Sequence, residues 1–393
     1  MLIEIHMLQN HAPSNLNRDD TGSPKECVFG GVKRARISSQ CLKRSIRRSD
    51  VFQNALNGNL AQRTRRLPLL VRDYFLEAGM AEDMAAVAAR KASGFGSAAG
   101  TEQKEMHTAQ TMFLTDADIG AVSETLLAAA REAGTAKKFE KVPAKDLQAQ
   151  AQEQGFRPIT ADIALFGRMI TSEAFRDVEA SAQCAHAIST HKVDHEFDYF
   201  TAVDDLKKPG ENDELEQGAG ADMLGDVEFN SACYYKYFSI DLGGLVDNMT
   251  AKSAGRKDIP AQEQAEAKAV AVNAVEAFLK SAVAVTPTGK QNTFAAHQLP
   301  AAVLVEARAT CTPVSYANAF VEPARAAAGL DLVSNSLEKF GKHVEALTNG
   351  FNLQSTQRLM LAPEHTEFSI SGVERVADLN TLCARLREVM SGG

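Results

Sequence analysis

The chain opens on an alternating pattern. Ile3, Ile5 and Met7 fall on one face of an extended segment and Glu4 and His6 on the other, a period of two that predicts a strand. A loop rich in Asn, Pro, Ser and Asp follows from Gln9 to Pro24, and Cys27 to Ile37 again reads as extended, punctuated by Gly30-Gly31. At Ser38-Ser39 the period becomes helical. Ser is a favoured N-cap, and Leu42 and Ile46, four apart, form the stripe to be buried along SSQCLKRSIRR. From about Phe52 to Gln154 the pattern is helical almost throughout, with Ala-rich stretches such as MAAVAARKAS. Strand signals return at Ile163 to Met169, Ala182 to Thr190 and Val227 to Ile240. Before the last of these, Asp204 to Asp226 reads as a long acidic, protruding loop. A helix over Ala261 to Ala284, an extended segment around Thr293 to Ala307 and helices to the end complete the pattern. This order predicts the α+β class: a central sheet domain from the first fifty residues and the second half, with a helical insertion and a long loop growing out of it.

Composition narrows the function classes. With 393 residues the chain is too long for one ordinary core, and 45% hydrophobic and 23% charged residues exclude a disordered or fibrous chain. Fifty acids against 42 bases give −8, which excludes an overall basic nucleic-acid binder but not a locally basic one. The six cysteines are scattered with no CxxC pair, so neither a disulfide framework nor a zinc site is expected, and a reducing cytoplasm is the simplest home. The opening MLIEIHMLQNH lacks the basic leader of a secretory signal, and the most apolar helical stretch is broken by Asn273, Glu276 and Lys280, so no membrane partner is expected.

Against that acidic background, Lys33, Arg34, Arg36, Lys43, Arg44, Arg47 and Arg48 stand together with no acid between Val32 and Ser49. On a helix, Lys43 and Arg47 share one face and Arg44 and Arg48 the next, and the capping serines stand where a helix offers backbone N–H groups to an anion. Ser38, Gln40, Lys43 and Arg47 thus suit successive phosphates of a polyanion. On charge alone, a solvated basic face or a contact to an acidic neighbour accounts for the run equally well. Asp19 and Asp20 in NLNRDD suggest a Mg²⁺ or acid/base pair, but adjacent residues on an extended loop point apart, and a turn capped by its own Asn and Asp side chains is the better account; Arg18 is then free to join the basic surface. His186, His191 and His195 with Asp194 have metal-ligand types, yet Ile188, Thr190 and Val193 favour extended structure, which spoils convergence. Thr288-Gly289-Lys290 lacks the rest of a phosphate loop, since Ala284 and Gln291 stand where Gly and a hydroxyl are needed, and Lys290 is left as a simple phosphate contact. Met169 and Phe200 suit either a core or a platform under unstacked bases.

These residues also carry a resemblance. LNRDD followed by VFGGVKRARISSQCLKRSIRRS, then TADIALFGRM, AHAISTHKVDHEFDYFTAVDD, GKQNTFAA and PVSYANAF, in that order from near residue 5 to about residue 320, resemble the Cascade backbone subunit of type I-E CRISPR systems, the CasC family. The resemblance implies a hand-like architecture. A modified RNA-recognition (ferredoxin-like) palm would comprise 1–51, 156–193 and 229–393, with helical fingers at 52–155 and a thumb at 194–228. It implies a protein without catalysis, cofactor or metal that polymerises along a guide RNA (crRNA) with further copies of itself, usually six, beside a large subunit, small subunits and subunits that cap the guide ends. Regular kinks would leave free guide segments to pair with target DNA. By similarity Ser38, Gln40, Lys43 and Arg47 hold guide phosphates with Arg18, Lys25 and Arg44 nearby, and Met169 and Phe200 pack at the kink. Glu4 and His6 stand where an ordinary RNA-recognition strand shows stacking rings, as suits a protein that positions phosphates without reading bases. The rival from another class is a metal-dependent ribonuclease using Asp19 and Asp20.

Overall fold

The computed structural model describes residues 1–57, 59–153, 155, 157–202 and 223–392. The strands are β1 (Leu2–Ser14), β2 (Glu26–Phe29), β3 (Val32–Ile37), β4 (Gln62–Thr64), β5 (Met112–Leu114), β6 (Ala182–Cys184), β7 (Ala187–Ser189), β8 (Glu196–Ala202), β9 (Met223–Asp241), β10 (Ala302–Arg308), β11 (Gln357–Leu361) and β12 (Glu374–Arg375). The helices are α1 (Ser39–Arg48), α2 (Asp50–Ala55), α3 (Leu67–Glu77), α4 (Glu82–Gly94), α5 (Asp116–Ala133), α6 (Ala136–Phe139), α7 (Ala144–Glu153), α8 (Ala161–Phe166), α9 (Leu242–Met249), α10 (Ala261–Ala284), α11 (Gln291–Phe294), α12 (Leu332–Gly350) and α13 (Leu379–Gly392). The expected α+β class is the observed one. Among the described residues no helix is long and apolar enough to cross a membrane. The chain divides into two compact units, one of Met1–Leu2, Asp50–Gln183 and Ile240–Phe278, the other of Ile3–Ser49, Cys184–Ser239 and Leu279–Gly393.

The first unit is mainly helical. Leu67, Val71 and Phe75 of α3, Ala85 and Ala88 of α4 and Val122 and Leu126 of α5 meet at helical spacing in one buried cluster. The β4–β5 ladder is the one feature of this block that the helical pattern hides, because three-residue strands carry almost no periodicity. Asp118 fixes the start of α5. It completes a capping box with Thr115 and receives the Arg168 guanidinium at 2.6 Å and that of Arg157 at 3.2 Å. The expected strand over Ile163 to Met169 is instead α8, ended by Gly167 at φ 78°. Its apolar run is buried all round, and a short run of that kind has no period to separate helix from strand.

The second unit is built on a sheet in the order β12-β11-β10-β1-β9-β7-β3-β2, with β8 also paired to β9. Gly30 and Gly31, at φ 61° and 78°, make the two-residue turn between β2 and β3, and Gly30 also admits the Val321 carbonyl where a Cβ would stand 1.8 Å from its oxygen. Strand β1 runs to Ser14, six residues into the expected loop; β10 and β9 pair its two edges, and both of its faces are buried. Residues 223–226 of the expected protruding loop are instead the start of β9; the rest of it, residues 204–222, lies outside the described residues.

A central strand with Glu4, His6, Gln9 and His11 buried must satisfy each of them. Glu4 accepts from the Tyr237 hydroxyl at 2.6 Å and the Val314 N–H at 2.7 Å, and pairs with Arg308 at 2.6 Å. His6 bonds the Tyr235 hydroxyl at 2.9 Å, stacks on Tyr237 and has Tyr316 tilted against it. Glu306 holds both Arg308, at 3.0 Å, and Arg358, at 2.7 Å. Burial opposes its charge, but the His6 hydrogen bond and the two guanidinium groups outweigh burial and keep the carboxyl well below the usual range. His11 stands 3.2 Å from Gln298 Oε1, and burial, reinforced by the Lys236 charge, pushes its imidazole down to about 4. A histidine held neutral in the fold charges on unfolding, so its stabilisation is complete above pH 6.5 and is lost as pH falls toward 4. Melting measured at pH 7 and pH 4.5 should show a loss of about 2–3 kcal/mol from this group. His11→Asn, which keeps an N–H at the Nδ1 position, should flatten that part of the acid limb.

Candidate nucleic-acid interface

Helix α1 begins where its sequence says it should. Ser38 is the N-cap, its Oγ accepting from the Cys41 N–H at 3.3 Å, while its own N–H donates to Asn17 Oδ1 at 2.8 Å. Leu42 and Ile46 are buried beneath it. Lys43 and Arg47 are half-buried, and Gln40, Arg44 and Arg48 are exposed. No acid lies on the helix, and among the described residues Arg18, Lys25, Lys43, Arg44 and Arg48 have no carboxylate partner.

The rest of the basic run serves the fold. Arg34 is fully buried and donates to the Ser189 carbonyl at 3.1 Å and the Phe320 carbonyl at 2.7 Å. Lys33 pairs with Glu26 at 3.1 Å, and Arg36 donates to the Glu26 carbonyl at 3.2 Å. The sequence shows seven cations in one run; the strand-to-helix change at Ser38 is what separates Lys33, Arg34 and Arg36, tied into the sheet, from Lys43, Arg44 and Arg48 on the helix.

Two loops adjoin the helix. In the first, Asp19 Oδ1 accepts from the Thr21 N–H at 2.9 Å, the Thr21 hydroxyl at 2.7 Å and the Ser23 N–H at 3.1 Å, the self-capped turn its composition suggests. These bonds, the Thr21 hydroxyl foremost, hold its carboxyl below the usual carboxylate range. Lys25 is tied in through its N–H to the Asn17 carbonyl at 2.8 Å. In the second loop Gly289 rests on the first: a Cβ there would stand 2.5 Å from the Leu16 carbonyl oxygen and 2.6 Å from that of Asn15. Between them opens a cleft of about 520 Å³, lined by residues 16–22, by Cys41, Arg44 and Ser45 of α1, and by Thr288 and Gly289. Lys290 follows at once, in the left-handed region at φ 48°. The structure thus gathers Arg18, Arg44 and the 288–289 turn around one opening. It places Ser38 differently from a free ligand group, since that residue is buried and its hydroxyl is spent on the cap.

Met169 and Phe200 belong to different units. Met169 follows α8 rather than closing a strand, and is 90% exposed. Phe200 is on β8, opposite Gly225 of β9, and its ring lies over that glycine, where a Cβ would meet Cζ at 2.5 Å. Tyr199, 76% exposed, and Phe197 are further exposed rings on β8 that the residue-by-residue reading passed over, although the alternation in EFDYF marks them.

The histidines do not converge. His186 lies against Arg36 at 3.3 Å, His191 accepts from the Cys233 N–H at 3.2 Å, and His195 bonds Glu228. Among the described residues the one group with metal-ligand spacing is Glu4, His6 and Glu306, but Arg308 and Arg358 already balance its two carboxylates.

A family model described as CT1975-like protein matches residues 3–385. A chain of a CRISPR RNA-guided surveillance complex, pre-nicking, is 26% identical, with a TM-score of 0.77 over 99% of this chain and 100% of that one. A chain of another CRISPR RNA-guided surveillance complex, 23% identical, shares the fold at a TM-score of 0.69 over 100% of both. No curated protein sequence matches. The cleft itself is tested by its glycine: Gly289→Ala should cost about 1–3 kcal/mol in denaturant unfolding, because two carbonyls must give way. Gly120→Ala on α5, where a Cβ meets nothing within 4 Å, should instead be neutral or stabilising by up to about 1 kcal/mol.

Proposed function

The chain belongs to the CT1975-like protein family, and from that premise we propose that it is the guide-RNA-binding backbone subunit of a type I-E CRISPR surveillance complex. The observation that carries the reading is α1, a capped helix with cations on its outer faces and no acid of its own, standing beside a cleft walled by two close-packed loops. Such a surface meets phosphates and ignores bases, because charge and backbone donors position a strand without reading its sequence. The full-length likeness to a chain of an RNA-guided surveillance complex supports the same role.

In this reading Lys43, Arg44 and Arg47, with Gln40 and Arg18, hold successive guide phosphates, Lys25 and Lys290 lie at the edges, and Ser38 acts through the helix start it caps. Copies of the chain assemble along the guide in the cytoplasm with the other Cascade subunits. Phe200 and Met169 pack at kinks between guide segments that stay free to pair with target DNA. The subunit is non-catalytic. A ribonuclease working through Asp19 and Asp20 has less support, since Asp19 Oδ1 is committed to the turn.

Lys43→Ala and Arg47→Ala should weaken guide binding by similar factors for unrelated guide sequences, as measured by filter retention. For four phosphate contacts the log–log salt slope should be about −3, and each substitution should flatten it by roughly 0.7. The paired change Asp19→Ala with Asp20→Ala should leave guide integrity in Mg²⁺ unchanged; loss of a cleavage activity on that substitution would establish the ribonuclease instead.

A further inference from the structure

His195 is left without a role in that account, and its surroundings supply one. It stands one residue before β8. Its Nδ1 is hydrogen-bonded to Glu228 of β9, its Nε2 lies 3.4 Å from Glu26 of β2, and the ring is mostly buried between them. Glu26 is held in turn by Lys33 at 3.1 Å. The same point is tied a second time by Asn15, whose Nδ2 donates to the Glu228 carbonyl at 2.8 Å and to the Gly22 carbonyl at 2.9 Å. The next residue of β9, Phe229, sets its ring 5.5 Å from that of Phe294. Beyond this root the β8–β9 ladder continues from Glu196↔Phe229 to Ala202↔Met223.

We infer that His195 is a positioning residue that sets the direction of the β8–β9 arm, and through it the place where Phe200 meets the guide; this rests on the function proposed above. Phe200 is fixed to the arm by its seat over Gly225, so the arm's direction becomes the ring's position. The five residues from His195 to Phe200 span roughly 16 Å at about 3.3 Å each. A swing of about 10° at the root therefore displaces the ring by about 3 Å, close to the roughly 3.4 Å that separates successive nucleotides of a stacked strand. A two-stranded ladder does not hold its own direction firmly, so the root must supply it. Removing the imidazole would also leave Glu26 and Glu228 facing each other across the vacated space, with Lys33 on Glu26 to offset them in part, and like charges at such range push apart.

The test uses the full chain assembled on a guide RNA with its partner subunits, reading guide retention and the periodic pattern of ribonuclease protection together. His195→Ala should retain guide within about threefold of the wild type but lose half or more of the contrast between protected and open positions. His195→Asn, whose amide keeps the Nδ1 donor to Glu228, should restore most of that contrast. An alanine variant as periodic as the wild type, an asparagine variant as flat as alanine, or an alanine variant that no longer holds guide would each overturn the inference while leaving the functional reading intact. A wild-type assembly without guide or without periodic protection overturns both.

Discussion

A helix with four cations and no carboxylate works against itself. Lys43 with Arg47 and Arg44 with Arg48 are like charges at i,i+4, each pair costing a few tenths of a kcal/mol on an isolated helix. Here the helix is secured from outside: Leu42 and Ile46 buried on one side, the Ser38 cap at its start, and the Asn17 side chain on the cap's own N–H. Because those anchors lie on the inner face and at the first turn, the outer faces can keep an unfavourable charge pattern. The loop that supplies Asn17 is also the wall of the cleft. Helix start and cleft wall are therefore joined at one hydrogen bond.

A similar division runs through the basic segment. Cations before Ser38 are tied into the sheet, while Arg44 and Arg48 after it are exposed. Arg34 draws together the β2–β3 turn, β7 and the segment ending at Phe320 through their carbonyl groups, which places the strand from which α1 departs. A guanidinium suits this task because its several donors lie in fixed directions and it keeps its proton, and so its charge, even when buried.

What could be read from the sequence follows from how far apart the interacting residues lie along the chain. The alternation that begins β1, the Gly30-Gly31 turn, the capped start of α1 with its Leu42–Ile46 stripe, and the Asp19 turn all depend on neighbours a few residues away, and each was legible. The burial of Glu4 and His6 was not, because their partners Arg308, Tyr235 and Tyr237 come more than two hundred residues later, and alternation alone does not reveal that both faces of a strand are covered. Helix α8 was misread for the opposite reason, being too short and too uniformly apolar to show a period. The separation of Arg34 from Arg44 likewise needed the three-dimensional arrangement, since in the sequence both are simply arginines in a basic run.

The placing of β1 has a consequence for the order in which the protein comes into being. This strand leaves the ribosome well before its neighbours in the sheet, β9 and β10, which begin only at Met223 and Ala302. The second wall of the cleft, at Thr288 and Gly289, is translated about 240 residues after the first α1 cations. Contacts this distant form slowly and close late. A nascent chain accordingly exposes its cations long before it has a groove to put them in, and only a nearly finished polypeptide has the cleft complete.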